Sequence, residues 1–290
     1  MNSNDNDFLI TVNLAMFKVD EAKRENVKKL PQKELTVLLM KRKKEPFKDC
    51  WLFPFGLVDI NESLDDAVYR ELKEKTNLEN IYFEQLYTWG AVDRDPAART
   101  IATSYFAIVQ KESIKAQAIE ECDNLKWFSV KKSLLSLEKI SDYHVISEYI
   151  ITLRNNSEMI IISYHVTEET TVSGFEKRTK YSYKACDGSE EHMAFDHIKI
   201  LDYALDRIKN KALYTNIAFG LISESFTLTE LQQVFEVLLG KKLIKPNFRR
   251  WISKKVEETQ STKKAGAYRP SKLYRLKKSS IIEEIDSLML

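Results

Sequence analysis

The residues of most immediate chemical interest lie between Ser63 and Lys75. On a helical wheel turning about 100° per residue, Leu64, Ala67, Val68 and Leu72 form an apolar stripe, and Asp66, Tyr69 and Lys73 point away from it. Glu71 and Lys75 nevertheless fall inside the stripe, with Glu74 at its edge. Burying an unpaired charge is costly, so two readings stand. One is an i,i+4 Glu71–Lys75 ion pair, in its favourable orientation, beside a partly open edge. The other is a helix face that lines a pocket. Other metal or nucleophile chemistry has less support. Cys50, Cys122 and Cys186 lie far apart without a CxxC, and His144, His165, His192 and His197 lack metal-ligand spacing.

A second group of charges sits near the C-terminus. Residues 241–278 hold 14 Lys+Arg against 2 Asp+Glu, a local charge of +12, whereas residues 1–240 carry −7. The formal total of +2 conceals this asymmetry. A helix starting near Pro246 gathers Phe248, Trp251 and Ile252 on one side and Arg249, Arg250, Ser253 and Lys254 on the other. The apolar side docks the helix, and the basic side is free to meet a phosphate backbone or a major groove. Residues 263–278 read as a wing: Gly266 and Pro270 shape its tip, Lys263, Lys264, Arg269 and Lys272 charge it, and Leu273, Tyr274 and Leu276 form its returning strand. With Asn247, these basic and polar residues are the expected contacts to double-stranded DNA, for which no cofactor is required.

The surrounding elements must position both groups. Residues 8–18 and 34–41 alternate or run apolar as strands do, and Pro54 and Gly56 in WLFPFG are expected to stop regular structure. Ser63 and Asp66 form a capping-box pattern for the helix over 63–75. Further strands are expected at 81–90, 100–109 and 124–130, and an added β-meander at 131–190, where Asn155-Asn156-Ser157 separates two apolar runs. From about 193 the pattern is helical, with Leu201, Ala204, Leu205 and Ile208 on one face. Thr227 and Glu230 form a second capping box, and Gly240 ends that helix. Helix, short turn, helix and basic hairpin outline a winged helix-turn-helix. No secretory signal and no stretch of about 18 apolar residues is present, so a cytoplasmic protein without membrane contact is expected.

Gly56, Glu62, Arg70, Glu71, Leu72 and Glu74 fit the spacing G-x5-E-x7-R-E-L-x-E, which resembles the Nudix box of enzymes that cleave nucleoside diphosphates linked to another group. Together with EQLYTWGAVDRDP, AFDHIKILDYAL, FTLTELQQVFEVLLGK, NFRRWI and YRPSKLYRL, the chain resembles Nudix-related transcriptional regulators of the NrtR type. The resemblance implies an α+β chain: a Nudix-like α/β/α sandwich with a mixed sheet over 1–190, the segment 131–190 being an addition, followed by a winged helix-turn-helix over 191–290. It implies a homodimer on an inverted-repeat operator and a small nucleotide or sugar effector, such as an ADP-ribose-like molecule or a pentose. Arg42, Trp51, Asp93, Arg94, Asp95 and Arg99 are then the expected effector-binding residues, since guanidinium groups suit phosphate and carboxylates suit ribose hydroxyls. The box departs from the hydrolase pattern. Lys75 stands at its last glutamate, Asn77 at its glycine and Phe55 at the first glycine of the usual PGG. Mg²⁺ is the cation such a box holds; Glu71 and Glu74 remain as residual metal ligands and catalytic groups. The alternative is a Mg-dependent hydrolase of ADP-ribose or nucleoside-diphosphate sugars.

Overall fold

The computed structural model describes residues 8–22, 31–78, 81–110, 125–263 and 270–279. The chain divides into two compact units. One holds Met1–Phe17, Thr36–Ala107 and Lys115–Leu205, the other Lys18–Leu35, Ile108–Ile114 and Asp206–Leu290.

Apolar alternation in the first half produces strands β1 (Leu9–Glu21), β2 (Lys33–Lys41), β3 (Trp51–Leu52), β4 (Phe55–Leu57), β5 (Tyr82–Trp89) and β6 (Thr100–Ile108). Four longer strands follow: β7 (Leu125–Ser141), β8 (His144–Asn155), β9 (Ile160–Ser173) and β10 (Glu176–Ala185). They form one sheet in the order β10-β9-β8-β7-β2-β1-β6-β5, with β3 beside β2 and β4 beside β1. Val12, Leu14, Met16, Leu38, Phe106 and Phe128 are fully enclosed in its core. Each such side chain contributes about 1.5–3 kcal/mol relative to exposure.

Two local expectations change. Gly56 does not stop structure: Pro54 offers its carbonyl to Leu14 N–H at 2.8 Å, and Phe55–Leu57 pairs with Asn13–Thr11. The strand expected to end at 130 continues to Ser141, because no turn residue interrupts it and β8 satisfies its backbone from Ser129↔Arg154 to Ser141↔His144. The meander itself is present as expected. Its β8–β9 turn is tied by the Asn155 side-chain oxygen, which accepts from Ser157 N–H and Glu158 N–H at 3.1 and 3.0 Å.

Helix α1 (Leu64–Thr76) carries the expected capping box on Ser63 and Asp66 and stops at Asn77, whose φ of 52° is the left-handed conformation that Gly, and next to it Asn, adopts at helix ends. Helix α2 (His197–Tyr214) begins in the first unit and ends in the second. It buries Leu201, Ala204 and Ile208, with Leu205 only half-buried.

In the second unit, a short 3-10 turn (Ile217–Leu221) leads to α3 (Leu228–Leu239), capped by Thr227 and Glu230 and closed by Gly240 at φ 65°. Helix α4 (Lys245–Ile252) has Pro246 in its first turn. Strands β11 (Val256–Lys263) and β12 (Ser271–Leu276) make an antiparallel hairpin, and Phe226 bridges to Tyr274. Phe235 packs against Phe248 and Trp251, with ring centroids at 5.5 and 5.2 Å. Among the described residues, no helix is long and apolar enough to cross a membrane.

Candidate functional site

In α1 the charged residues of the apolar stripe satisfy one another. Glu71 is buried; one carboxylate oxygen accepts from Arg70 Nη1 at 2.7 Å and the other from Lys75 Nζ. Lys75 also donates to the Phe55 carbonyl and lies over the Phe55 ring. Arg70 donates to both oxygens of Glu62 at 3.1 and 2.7 Å and to the Leu57 carbonyl at 2.8 Å; Glu74, largely exposed, stands 3.8 Å from it. The Arg70 hydrogen bond, with one from the Asp59 amide, holds the Glu62 carboxyl below its usual range, and Glu62 in turn raises the pKa of Arg70. Gly56 has a concrete reason to be glycine: a Cβ there would overlap the Glu71 carboxylate.

A divalent cation is what the family's box would hold, and these residues do not fit it. The ammonium of Lys75 occupies the place of a carboxylate and takes one Glu71 oxygen, while Arg70 takes the other. Changing a carboxylate to an ammonium alters local charge by about two units where close-range attraction is worth kcal/mol. Among the described residues, no group of three or more His, Cys, Asp or Glu side chains is arranged to hold a metal.

The loop after β5 uses most of its charge internally. Arg94 is buried and makes two hydrogen bonds to Asp196, Nη2 to Oδ1 at 2.7 Å and Nε to Oδ2 at 3.1 Å. Asp95 accepts from Ala97 N–H at 2.9 Å and from the Thr100 hydroxyl at 3.1 Å. Arg99 donates to the Gly90 and Ala91 carbonyls, and Asp93 is exposed. Arg42 donates to the Pro46 carbonyl, with its guanidinium 5.0 Å from the Phe195 ring centroid. Trp51 is 0% exposed and donates its indole N–H to Glu191 at 3.0 Å.

Sequence reasoning did not single out Asp196 or His197 as functional residues. His197 is wholly enclosed, and its Nδ1 accepts from the Phe53 amide at 2.9 Å, which puts the ring proton on Nε2. Burial first, then the Arg94 and Arg42 cations, push its pKa down to about 3. The sequence signal for both is the segment AFDH, whose partners lie roughly a hundred residues away or more.

In the second unit, Phe248 and Ile252 of α4 are buried, and Trp251 is packed on aromatic rings while 41% exposed. Asn247, Arg249, Arg250, Ser253 and Lys254 are exposed. Among the described residues, Arg249, Arg250 and Lys254 form no ion pair. The Ser253 hydroxyl donates to the Arg250 carbonyl, and Lys277 donates to the Ser253 and Lys254 carbonyls, a cation at a helix C-terminus. Wing residues Lys263 and Lys272 pair with Glu230 at 2.7 Å and Glu258 at 2.8 Å. Burial works against ionisation of Glu230, but the Lys263 and Thr227 hydrogen bonds outweigh it and hold the carboxyl below its usual range. Lys264 and Arg269 lie outside the described residues.

Comparison with known proteins agrees with both halves of this geometry. The NUDIX domain family model matches residues 27–149, and the model described as the NrtR DNA-binding winged helix domain matches 218–276. The chain is 29% identical over 271 residues to the ADPR responsive transcriptional repressor NtrR of Acinetobacter baylyi, an alignment covering 92% of this chain and 81% of the relative. An ADP-ribose pyrophosphatase of Methanocaldococcus jannaschii is 36% identical over 85 residues, which are 29% of this chain and 50% of that protein. The crystal structure of Shewanella oneidensis NrtR complexed with a 27mer DNA is similar at a TM-score of 0.60 and 26% identity, covering 92% of this chain and 93% of that one. With a Nudix domain whose box is closed by its own lysine, and a winged helix that leaves Arg249, Arg250 and Lys254 outward, the chain is similar over both halves to the NrtR-like Nudix regulators.

Proposed function

We propose that this protein is a transcriptional repressor that binds an inverted-repeat operator as a homodimer in the cytoplasm and is controlled by ADP-ribose or a closely related nucleotide. The observation that carries the DNA half is the outward face of α4, where Arg249, Arg250 and Lys254 are exposed while Phe248 and Ile252 dock the helix. Asn247 and Ser253 extend that surface for phosphate and base contacts, and Lys263 and Lys272 join it by exchanging Glu230 and Glu258 for phosphate. The effector half is supported by the Acinetobacter baylyi relative, named as ADPR responsive. Arg42, Trp51, Asp93, Arg94, Asp95 and Arg99 are proposed to receive the effector, which needs some of them to exchange internal partners for ligand oxygens.

The hydrolase reading is disfavoured by the capture of Glu71 between Arg70 and Lys75. One experiment separates the two. Fluorescence anisotropy on DNA from upstream of the protein's own operon, with and without ADP-ribose, is expected to give tight binding that falls steeply with salt and weakens with ADP-ribose. Salt-insensitive binding, or Mg²⁺-dependent turnover of ADP-ribose abolished by Glu71→Gln, would sink the repressor reading in favour of its rival.

A further inference from the structure

Three residues expected to meet the effector are all engaged by one heptapeptide, Glu191–His197. Trp51 donates its indole N–H to Glu191 and its backbone N–H to the His192 carbonyl at 2.8 Å; its own carbonyl accepts from Ala194 N–H at 2.7 Å. Arg42 lies over Phe195, and Arg94 is chelated by Asp196. Phe195 itself has φ +52°, a left-handed conformation that is unusual for a bulky aromatic residue. Strain of this kind persists only where the surroundings over-determine it. Here the restraints are the Phe47 ring at 4.7 Å, the Arg42 guanidinium and the ion pair of the next residue. His197 then opens α2, the helix that ends in the second unit.

A guanidinium grips a carboxylate and a phosphate through the same pair of parallel N–H donors. The Asp196 carboxylate therefore holds Arg94 as a ligand phosphate would. From this geometry we infer that Asp196 is an intramolecular competitor with the effector's phosphate for Arg94, and that release of Glu191–His197 carries the signal into α2. The inference rests on the proposed reading of a phosphorylated effector in the first unit. It also supplies what any ligand-driven switch requires, a group bonded differently in the two states: Arg94 pairs with Asp196 in one and with phosphate in the other. Loss of the Asp196 partner removes one of the three restraints on Phe195.

The test uses the full chain. Amide hydrogen exchange at Met193, Ala194 and His197 is measured with and without saturating ADP-ribose, and ADP-ribose affinity is measured by calorimetry for the wild type and Asp196→Asn. Exchange is expected to accelerate about tenfold on binding, and Asp196→Asn to bind about tenfold tighter, within the usual range of coupling between sites. Bound ADP-ribose that leaves exchange unchanged or slows it overturns the inference and leaves the effector assignment standing. Unaltered affinity in a folded Asp196→Asn does the same. If Asp196→Asn fails to fold, the exchange measurement on the wild type decides alone. Failure of the wild type to bind ADP-ribose at all overturns both the effector assignment and the competition.

Discussion

In α1 the charged side chains turn on one another, whereas in α4 they turn outward. Glu62, Arg70, Glu71 and Lys75 form a closed set in which each charge meets an opposite one, partly withdrawn from water. Arg249, Arg250 and Lys254 face solvent, and their helix is held by Phe248 and Ile252 instead. The difference teaches how an enzyme-like box becomes structure while a modest helix keeps its charge available. A charge that is already neutralised internally reaches a ligand only by giving up its partner. A charge that takes no part in anchoring its helix keeps its electrostatic attraction for a polyanion.

Inward-turned charge should answer to protons and packing, and outward-turned charge to salt. The largest expected effect is on acidification of the first unit. His197 is held neutral in the fold at a pKa of about 3 against an ordinary value of 6.5, so its contribution is present above pH 6.5 and is lost as pH falls towards 3. Each pH unit across that window removes on the order of 1 kcal/mol. His197→Gln keeps an acceptor for the Phe53 amide, and thermal melts of this variant should show a flatter acid limb; an unchanged limb would break the assignment.

Next comes the outward face. Arg249→Ala combined with Arg250→Ala should weaken operator binding by about 100-fold or more and reduce the salt slope by roughly one for each phosphate no longer neutralised. Anisotropy titrations at several salt concentrations measure both, and a variant with wild-type slope would show that these arginines do not meet phosphate.

A smaller loss is expected in α1. Lys75→Glu sets two carboxylates together in a half-buried place and should cost about 2–3 kcal/mol, less than breaking a fully buried pair. Chemical denaturation reads the loss, and Mg²⁺ should restore part of it in the variant while leaving the wild type unchanged. Equal stabilisation of both by Mg²⁺ would blur the contrast between the two helices. The smallest effect belongs to the caps: Thr227→Ala and Ser63→Ala should each cost about 1 kcal/mol in denaturation midpoints.

Much of the fold was legible because its signals are local. Ser63 with Asp66 and Thr227 with Glu230 each form both bonds of a capping box, and Gly240 and Asn77 stop their helices in the left-handed conformation. The meander strands were legible from the apolar runs around Asn155, although the end of β7 was not, because a strand without a stop residue ends only where its partner does. The candidate site was legible in part. The Glu71–Lys75 pair is an i,i+4 relation, and the basic face of α4 is a matter of helical phase. That Trp51 is wholly enclosed and that Arg94 is held by Asp196 depends on segments far apart in the chain.

The sequence by itself determined the helices and their caps, the sorting of positive charge into one C-terminal block, and the replacement of a box carboxylate by Lys75. These follow from relations within three or four residues, or from composition. Only the tertiary structure decided which charges are already occupied. It placed the Phe55 carbonyl within reach of Lys75, brought Asp196 to Arg94 across 102 residues, and laid Glu191–His197 along Trp51. An ion pair is fixed by distance in space, and backbone periodicity carries no information about distance between segments that meet only when the sheet and its covering helices have formed.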